Sequence, residues 1–244
     1  MRLSATEATR HTVHTAVVEL RQYTLHPGAR DRLIDLFDRE FVETQDACGM
    51  SVLGQFRDLD RPDRFVWLRG FSDMESRAIA LASFYEGPVW ASHRDAANAT
   101  MIDFDDVLLL RPCEAGALGS LDPRHRPQAS ASSASVFEAL ICPVQPGDLE
   151  NFIAWYRDAF VPVLEVVGGE AVASLVTESS ENTFPRLPVR EGVSVFVTLM
   201  RMAGEDGFER LQDVPAGAAV LAELARRTTA TRLRLAPTVG SLLR

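Results

Sequence analysis

The residue types best suited to chemistry lie close together in the first half of the chain. They are Tyr85, Trp90, His93, Arg94 and Asn98. If Val89–Met101 is helical, Trp90, His93 and Arg94 share a face, as do Arg94 and Asn98, because residues three or four positions apart are neighbours on a helix. A histidine there can act as a general base or a haem ligand. We predict that His93 is the catalytic acid or base and that the other four bind substrate. A purely structural role for the group stays open.

A second group of charged and aromatic residues occupies alternate positions of two predicted strands. It consists of Glu19, Arg21, Tyr23, Trp67 and Arg69. Side chains alternate along a strand, so each strand places its members on one face. Arginine binds carboxylates in a bidentate manner, and we predict that the group binds a polar or anionic ligand. The alternative is a self-contained structural network, because every buried charge needs a partner.

Several kinds of chemistry are excluded by what the sequence lacks. All 25 basic residues are arginine. Without lysine there is no Schiff-base catalysis, no pyridoxal phosphate attachment and no Walker A lysine. Neither a G-x-S-x-G nucleophile elbow nor an H-E-x-x-H motif occurs. His11 and His14 have the spacing of metal ligands, but no third ligand follows them, so we predict no metal site. We also predict that the protein has no tightly bound organic cofactor.

Composition narrows the class of protein further. The chain has 244 residues, a net charge of −9 and 46% hydrophobic residues. An acidic chain without a basic stripe argues against a nucleic-acid partner. No run approaches the roughly 18 apolar residues of a membrane span, and the polar N-terminus has no signal-peptide core. We therefore expect a cytoplasmic globular protein without a membrane partner.

The candidate residues are positioned by a supersecondary unit that occurs twice. Val17–Phe37 reads as a strand, a Pro-Gly turn and the start of a helix, and Val136–Tyr156 repeats that pattern. Alternating and helical hydrophobic patterns then predict the order β-α-β-β-α-β in each copy, which is the ferredoxin-like arrangement. Residues 1–15 read as a mobile arm, 16–112 as the first unit, 113–134 as a linker and 135–244 as a second, degenerate unit.

The predicted fold class is α+β, with two tandem ferredoxin-like units packed sheet to sheet as a pseudo-dimeric barrel. Each sheet carries helices on one face only, so its other face needs a cover, and the two sheets can cover each other. We assign the second group of residues, Glu19 to Arg69, to the space between the sheets. The internal pairing makes the chain a pseudo-dimer, and a further homodimer is left open.

The first unit resembles a NIPSNAP-family domain of the dimeric α+β barrel superfamily. The resemblance rests on Val18–Leu25 followed by Pro27-Gly28, on Trp67–Phe71, and on Phe84–Trp90 with His93-Arg94. It continues in Ala97-Asn98 and Leu108–Pro112, while the second unit keeps only the strand, turn and helix skeleton. The resemblance implies the same barrel. It also implies a superfamily of cofactor-free monooxygenases, haem-degrading enzymes, polyketide cyclases, isomerases and proteins without known chemistry.

From this we predict an enzyme that transforms an apolar, aromatic or polyketide-like small molecule in the first unit. The expected types are cyclase, isomerase or cofactor-free oxygenase. The alternative is a non-catalytic protein of the NIPSNAP type that holds a ligand or a partner. Haem binding through His93 is a third, minor possibility.

Overall fold

The computed structural model describes residues 15–118, 121–126 and 135–244. The predicted N-terminal arm, with His11 and His14, lies outside the described residues except for its last position. Much of the predicted linker, residues 119–120 and 127–134, lies outside them too. No helix within the described ranges is long and apolar enough to cross a membrane.

The first half of the chain forms a four-stranded antiparallel sheet with helices packed on one side. Its strands are β1 (Val17–Leu25), β2 (Ser51–Asp58), β3 (Arg64–Phe71) and β4 (Met101–Pro112). Its helices are α1 (Arg30–Leu36), α2 (Val42–Ala47), α3 (Met74–Tyr85) and α4 (Pro88–Asn98), with a π-helical turn at Phe37–Phe41 between α1 and α2. Gly28 follows β1 with a φ of 74°, a conformation that glycine adopts without strain.

The second half repeats this order. Its strands are β5 (Val136–Pro143), β6 (Glu170–Thr177), β7 (Val195–Met202) and β8 (Thr231–Pro237). Its helices are α5 (Leu149–Trp155), α6 (Val161–Val166) and α7 (Pro215–Arg227), and a π-helical turn at Tyr156–Phe160 joins α5 to α6. The π-turn thus occurs at the same place in both halves. The helices of the first half have this turn without a proline, so Pro162 is not required for the irregularity in the second half.

The eight strands close into a single barrel in the order β1-β3-β2-β8-β5-β7-β6-β4. Two short antiparallel seams join the halves. In one, Phe56 of β2 pairs with Pro237 of β8, and in the other, Leu175 of β6 pairs with Pro112 of β4. One strand of each seam carries a β-bulge at the equivalent place. It lies between Val52 and Gly54 in β2 and between Ala171 and Ala173 in β6. The predicted α+β barrel is therefore confirmed.

Three hydrophobic layers hold the barrel together. Aliphatic side chains such as Val18, Leu20 and Leu68 fill the barrel interior with their counterparts from β5 and β8. A layer rich in aromatic side chains lies between the first sheet and its helices, and a third layer does the same in the second half. Both faces of β1 are therefore buried, not one as its alternating pattern suggested.

The assignment of the second polar group to the space between the sheets is wrong. Tyr23 and Trp67 belong to the layer beneath the helices, and Glu19 is bonded there to Arg77 of α3. The alternation separated the two faces of the strand correctly. It could not show which face the helices cover, because the purely aliphatic face packs equally well against a second sheet.

Candidate functional site

A buried carboxylate surrounded by three arginines lies between the first sheet and its helices. Glu19 and Arg21 come from β1, Arg69 lies opposite Glu19 on β3, and Arg77 comes from α3. Each arginine has a guanidinium nitrogen 2.7 Å from a Glu19 carboxylate oxygen. All four side chains are at most 1% exposed. The sequence pattern identified three of them and missed Arg77, which was part of a motif but had no neighbour in sequence to indicate its partner.

The cluster carries more positive than negative charge, because three guanidinium groups surround one carboxylate. Among the described residues, Glu19 is the only carboxylate that forms an ion pair with these three arginines. The remaining acceptors are neutral: Arg21 donates to the Tyr23 hydroxyl at 3.0 Å, and Arg69 donates to Gln45 Oε1 at 3.1 Å. The Nη2 atoms of Arg69 and Arg77 lie 2.7 Å from the Glu19 carboxylate oxygens without the alignment of a hydrogen bond. A single carboxylate therefore serves three guanidinium groups.

The electrostatics of the cluster keep Glu19 and Arg21 ionised in the folded protein. Burial alone would raise the pKa of Glu19, but Arg69, Arg21 and Arg77 together lower that pKa well below its ordinary value. Burial acts to lower the pKa of Arg21, but Tyr23 and Glu19 outweigh it and the net shift is upward. Burial raises the pKa of the Tyr23 phenol, so this hydroxyl remains protonated near neutral pH.

An aromatic cavity adjoins the charged cluster. Its volume is about 30 Å³, room for roughly one water molecule. It is lined by Tyr23, Leu33, Phe37, Phe41, Gln45, Trp67, Phe84, Tyr85, Trp90, Ala97 and Met101. The Arg69 guanidinium lies 5.1 Å from the Trp67 ring centre and 5.9 Å from that of Tyr85. Trp67 is 1% exposed, and its indole N–H has no acceptor among the described residues.

His93 has an acidic partner that the sequence did not indicate. Its Nε2 lies 3.4 Å from Oε2 of Glu40, with the two side chains 33% and 27% exposed. Glu40 belongs to the π-helical turn, whose Phe37 and Phe41 line the cavity. Single π-turns often occur at functional sites. The His93 ring centre is 6.4 Å from that of Phe41, so the pair lies at the outer edge of the aromatic layer.

The other residues predicted around His93 divide into two groups. Tyr85 and Trp90 line the cavity, and their ring centres are 4.9 Å apart. Arg94 and Asn98 do share a face of α4, but that face is exposed to solvent, and Arg94 lies 3.5 Å from Asp95. Neither His93, Arg94 nor Asn98 lines the cavity in this conformation.

The site also depends on the second half of the chain. The segment between β6 and β7, residues 178–194, crosses over the helices of the first half. Arg77 donates to Asn182 Oδ1 at 3.0 Å, and Thr183 donates its hydroxyl to the Met74 carbonyl. Phe184 stacks on Tyr85 with ring centres 6.1 Å apart. The segment is polar and contains proline, and its sequence gives no sign of the side chains it contacts.

Comparison with known proteins now supports the resemblance noted in the first unit. The NIPSNAP family model matches residues 18–115, which contain Glu19, all three arginines and His93. Residues 18–115 are therefore similar to a NIPSNAP domain, and we refer to them below as the NIPSNAP domain. The buried charge cluster, the aromatic cavity and the His93–Glu40 pair therefore all belong to the NIPSNAP domain, while Asn182 and Phe184 reach it from outside.

Solved structures with the same fold extend over nearly the whole chain. A candidate monooxygenase from Lactobacillus acidophilus is 13% identical, covers 91% of this chain and 94% of its own, and has a TM-score of 0.57. An anthrone oxidase-like protein is 12% identical, with 93% and 92% covered and a TM-score of 0.56. A NIPSNAP-like protein from Burkholderia xenovorans is 25% identical, covers 43% of this chain and 89% of its own, and has a TM-score of 0.38. None of the curated proteins matches the sequence. At such low identity the full-length similarity shows the fold alone.

Proposed function

We propose that this protein is a small-molecule-transforming enzyme that binds an acidic aromatic substrate within its NIPSNAP domain. The substrate lies between sheet and helices, and the two halves act as tandem ferredoxin-like units of an internal pseudo-dimer. The observation that carries the proposal is the buried set of three arginines around a single carboxylate, next to an aromatic cavity.

The uncompensated charge favours an anionic ligand. Burying a guanidinium without a full counter-charge is costly, and an entering anion recovers part of that cost. An enolate, phenolate or carboxylate on the ligand would accept hydrogen bonds from Arg69 or Arg77, which retain unaligned donors. The Trp67 indole N–H supplies a further neutral donor on the cavity wall.

The aromatic lining favours a flat ring system as the body of that ligand. Trp67, Tyr85 and Trp90 offer edges and faces on which a planar ring packs. Cyclisation, isomerisation and cofactor-free oxygenation of such compounds share one early step, the removal of a proton to give an enolate or phenolate. The arginine cluster would stabilise the resulting negative charge.

His93 is the proposed acid or base, with Glu40 orienting its ring. An imidazole beside a carboxylate can accept a proton and hold the resulting positive charge. The pair lies at the cavity edge, not in its wall, so the substrate must extend between Phe41 and Trp90 to reach it. A cavity of about 30 Å³ is far smaller than any such substrate. Binding therefore requires the site to open, and we propose that the segment 178–194 moves to allow it, because its Phe184 stacks on the lining residue Tyr85.

Binding of a charged and a neutral naphthalene derivative tests the proposed substrate class. We expect 2-naphthoate to bind about tenfold more tightly than 2-naphthamide, as measured by calorimetry. Arg69→Met should remove this preference, while Arg94→Met, at an exposed position, should keep it. Equal affinities of the native protein for the two compounds would contradict the proposal.

The second candidate function is ligand holding without catalysis, and the small closed cavity favours it. Native mass spectrometry of freshly purified protein identifies any bound acidic metabolite. Turnover of that metabolite that is lost in His93→Ala supports the enzyme, and tight binding with no turnover supports the holding function. Haem binding, the minor alternative, predicts a Soret band on haem addition that His93→Ala abolishes.

A further inference from the structure

The internal repeat relates two grooves on opposite sides of the barrel. One groove lies beside β2, where the chain that leaves β8 passes along it. The other lies beside β6, where the chain that leaves β4 passes along it. After β8, the Thr238 N–H donates to the Gln55 carbonyl at 2.8 Å, and after β4, the Cys113 N–H donates to the Ser174 carbonyl at 2.8 Å. Gln55 and Ser174 are equivalent in the repeat, since the matching bulges of β2 and β6 precede them.

The groove of the first half is filled by the chain itself. Gly240 packs directly on it, and a Cβ at this position would lie 2.3 Å from Asp38 Oδ1 and 2.8 Å from Gln55 Nε2. The Arg126 side chain closes the rest of the groove. It donates to the Gly240 carbonyl at 2.6 Å, to Asp46 Oδ2 at 2.8 Å and to the Val52 carbonyl at 3.0 Å.

The groove of the second half has smaller residues at the equivalent positions. Ala171 replaces Val52, and Ser174 replaces Gln55. The result is a cavity of about 330 Å³, within the size range of small-molecule sites. It is lined by Cys113, Glu114, Ala117, Ile153, Tyr156, Arg157, Val161, Ala171, Val172, Ala173 and Ser174.

The walls of this cavity are largely apolar, and two of its polar side chains are bonded elsewhere. Ile153, Val161 and Ala171 contribute aliphatic surface. The Tyr156 hydroxyl is 2.5 Å from Thr198 Oγ1, which leaves its ring as the available surface. The Arg157 guanidinium donates to both carboxylate oxygens of Asp158, at 2.7 and 2.9 Å, so its charge is compensated. The lining carboxylate, Glu114, is exposed to solvent, and an uncharged ring would bury the apolar surface below it.

We propose that this cavity is a second small-molecule site, specific for an uncharged apolar compound of one or two fused rings. It is lined by β6 and the α5–α6 region of the second half and by the segment that follows β4, and it shares no lining residue with the NIPSNAP cavity. The proposal is independent of the proposed function. It also gives the second half a role besides covering the first.

Cysteine protection with indole as the probe tests the site. N-ethylmaleimide labelling of Cys113 and Cys48 is followed by peptide mass spectrometry with and without indole. Burial raises the pKa of the Cys113 thiol to about 11, so labelling is run at alkaline pH. We expect indole to slow labelling of Cys113 severalfold and to leave Cys48, which packs in the NIPSNAP layer, unchanged. Slowing of Cys48 instead, or of neither residue, would overturn the proposal.

Filling the cavity provides an independent test. Ser174→Gln introduces the residue that the first half carries at this position, and Ala117→Leu fills the cavity from the opposite wall. Either variant should weaken indole binding about tenfold, as measured by calorimetry. Val166→Gln, at an exposed position on α6, is the control and should leave the affinity unchanged. Unaltered indole affinity in a folded filling variant would refute the assignment.

Discussion

At the scale of single residues, Glu19 is the group on which the buried charges depend. Its two carboxylate oxygens accept hydrogen bonds from Arg21, Arg69 and Arg77, all inside the hydrophobic layer. A buried carboxylate with several cationic partners stabilises the fold mainly by preventing unpaired charge, since the net gain of a buried pair is small.

Replacing Glu19 should therefore be severely destabilising. Glu19→Gln keeps the shape of the side chain but leaves three buried guanidinium groups without a counter-charge. We expect a loss of about 3–5 kcal/mol in the free energy of unfolding, measured by urea denaturation. Glu165→Gln, at an exposed position of α6, is the matched control and should change stability little. A Glu19→Gln protein as stable as the native one would show that the arginines find other partners.

The same carboxylate should make stability depend on pH in a defined direction. The pKa of Glu19 in the folded protein lies below its ordinary value, so the folded state favours the ionised form. Its contribution is complete above the ordinary pKa and is lost as the pH falls from there through the folded-state pKa. As the pH is lowered through this range, the urea concentration at the unfolding midpoint of the native protein should therefore decrease. The midpoint of Glu19→Gln should decrease less. Parallel profiles for the two proteins would contradict this linkage.

At the scale of elements, the segment 178–194 connects the halves through the site. It contributes Asn182 to the charge cluster and Phe184 to the aromatic layer. A long connection without regular secondary structure is often a functional loop. The segment also donates backbone hydrogen bonds to β4, from Glu178 to the Leu109 carbonyl and from Arg190 to the Val107 carbonyl, so it links the two halves at the site.

Truncating Phe184 should make this segment easier to open. Phe184→Ala removes the ring that stacks on Tyr85, so the local opening of the segment becomes less costly. We expect faster amide hydrogen exchange in 178–194 and in the C-terminal turn of α3, with exchange in α7 unchanged. Phe184→Leu retains apolar contact and should lie between the two. Exchange in Phe184→Ala identical to the native protein would indicate that other contacts hold the segment.

At the scale of the whole molecule, each sheet covers the apolar face of the other. The barrel interior is apolar on both sides, with Val18 and Leu68 from one half in the same cluster as Phe137 and Leu233 from the other. The seams that join the sheets pair only three residues each. Burial of apolar surface, more than the seam hydrogen bonds, should therefore hold the halves together.

The first half expressed alone should consequently self-associate. A fragment of residues 1–118 retains its helices and sheet but exposes the barrel face, and a second copy is the most similar available cover. We expect a homodimer in light scattering after size-exclusion chromatography. Changing the barrel-facing Leu68 to Asp in the fragment should weaken the dimer. A stable fragment that remains monomeric would show that this face does not need a cover.

The sequence by itself determined the order of the elements, the internal repeat and the family of the first unit. These features are local: alternation along β1, helical spacing after Pro27-Gly28, and the Trp67–Phe71 motif all lie within short stretches. Local spacing reflects burial directly, which is why strand and helix positions followed from it. Of the residues predicted to form the site, Glu19, Arg21, Tyr23, Trp67 and Arg69 do lie together, as do Tyr85 and Trp90.

Only the tertiary structure decided which face of β1 the helices cover and which distant residues complete the site. Arg77 and Asn182 join the charge cluster and Glu40 joins His93, each from a separate element, whereas Arg94 and Asn98 lie outside the site. A strand buried on both faces has two sets of buried side chains, and either set can pack against helices or against a second sheet. The choice depends on the combined packing of both halves, because contacts between residues far apart in sequence leave no trace in local spacing.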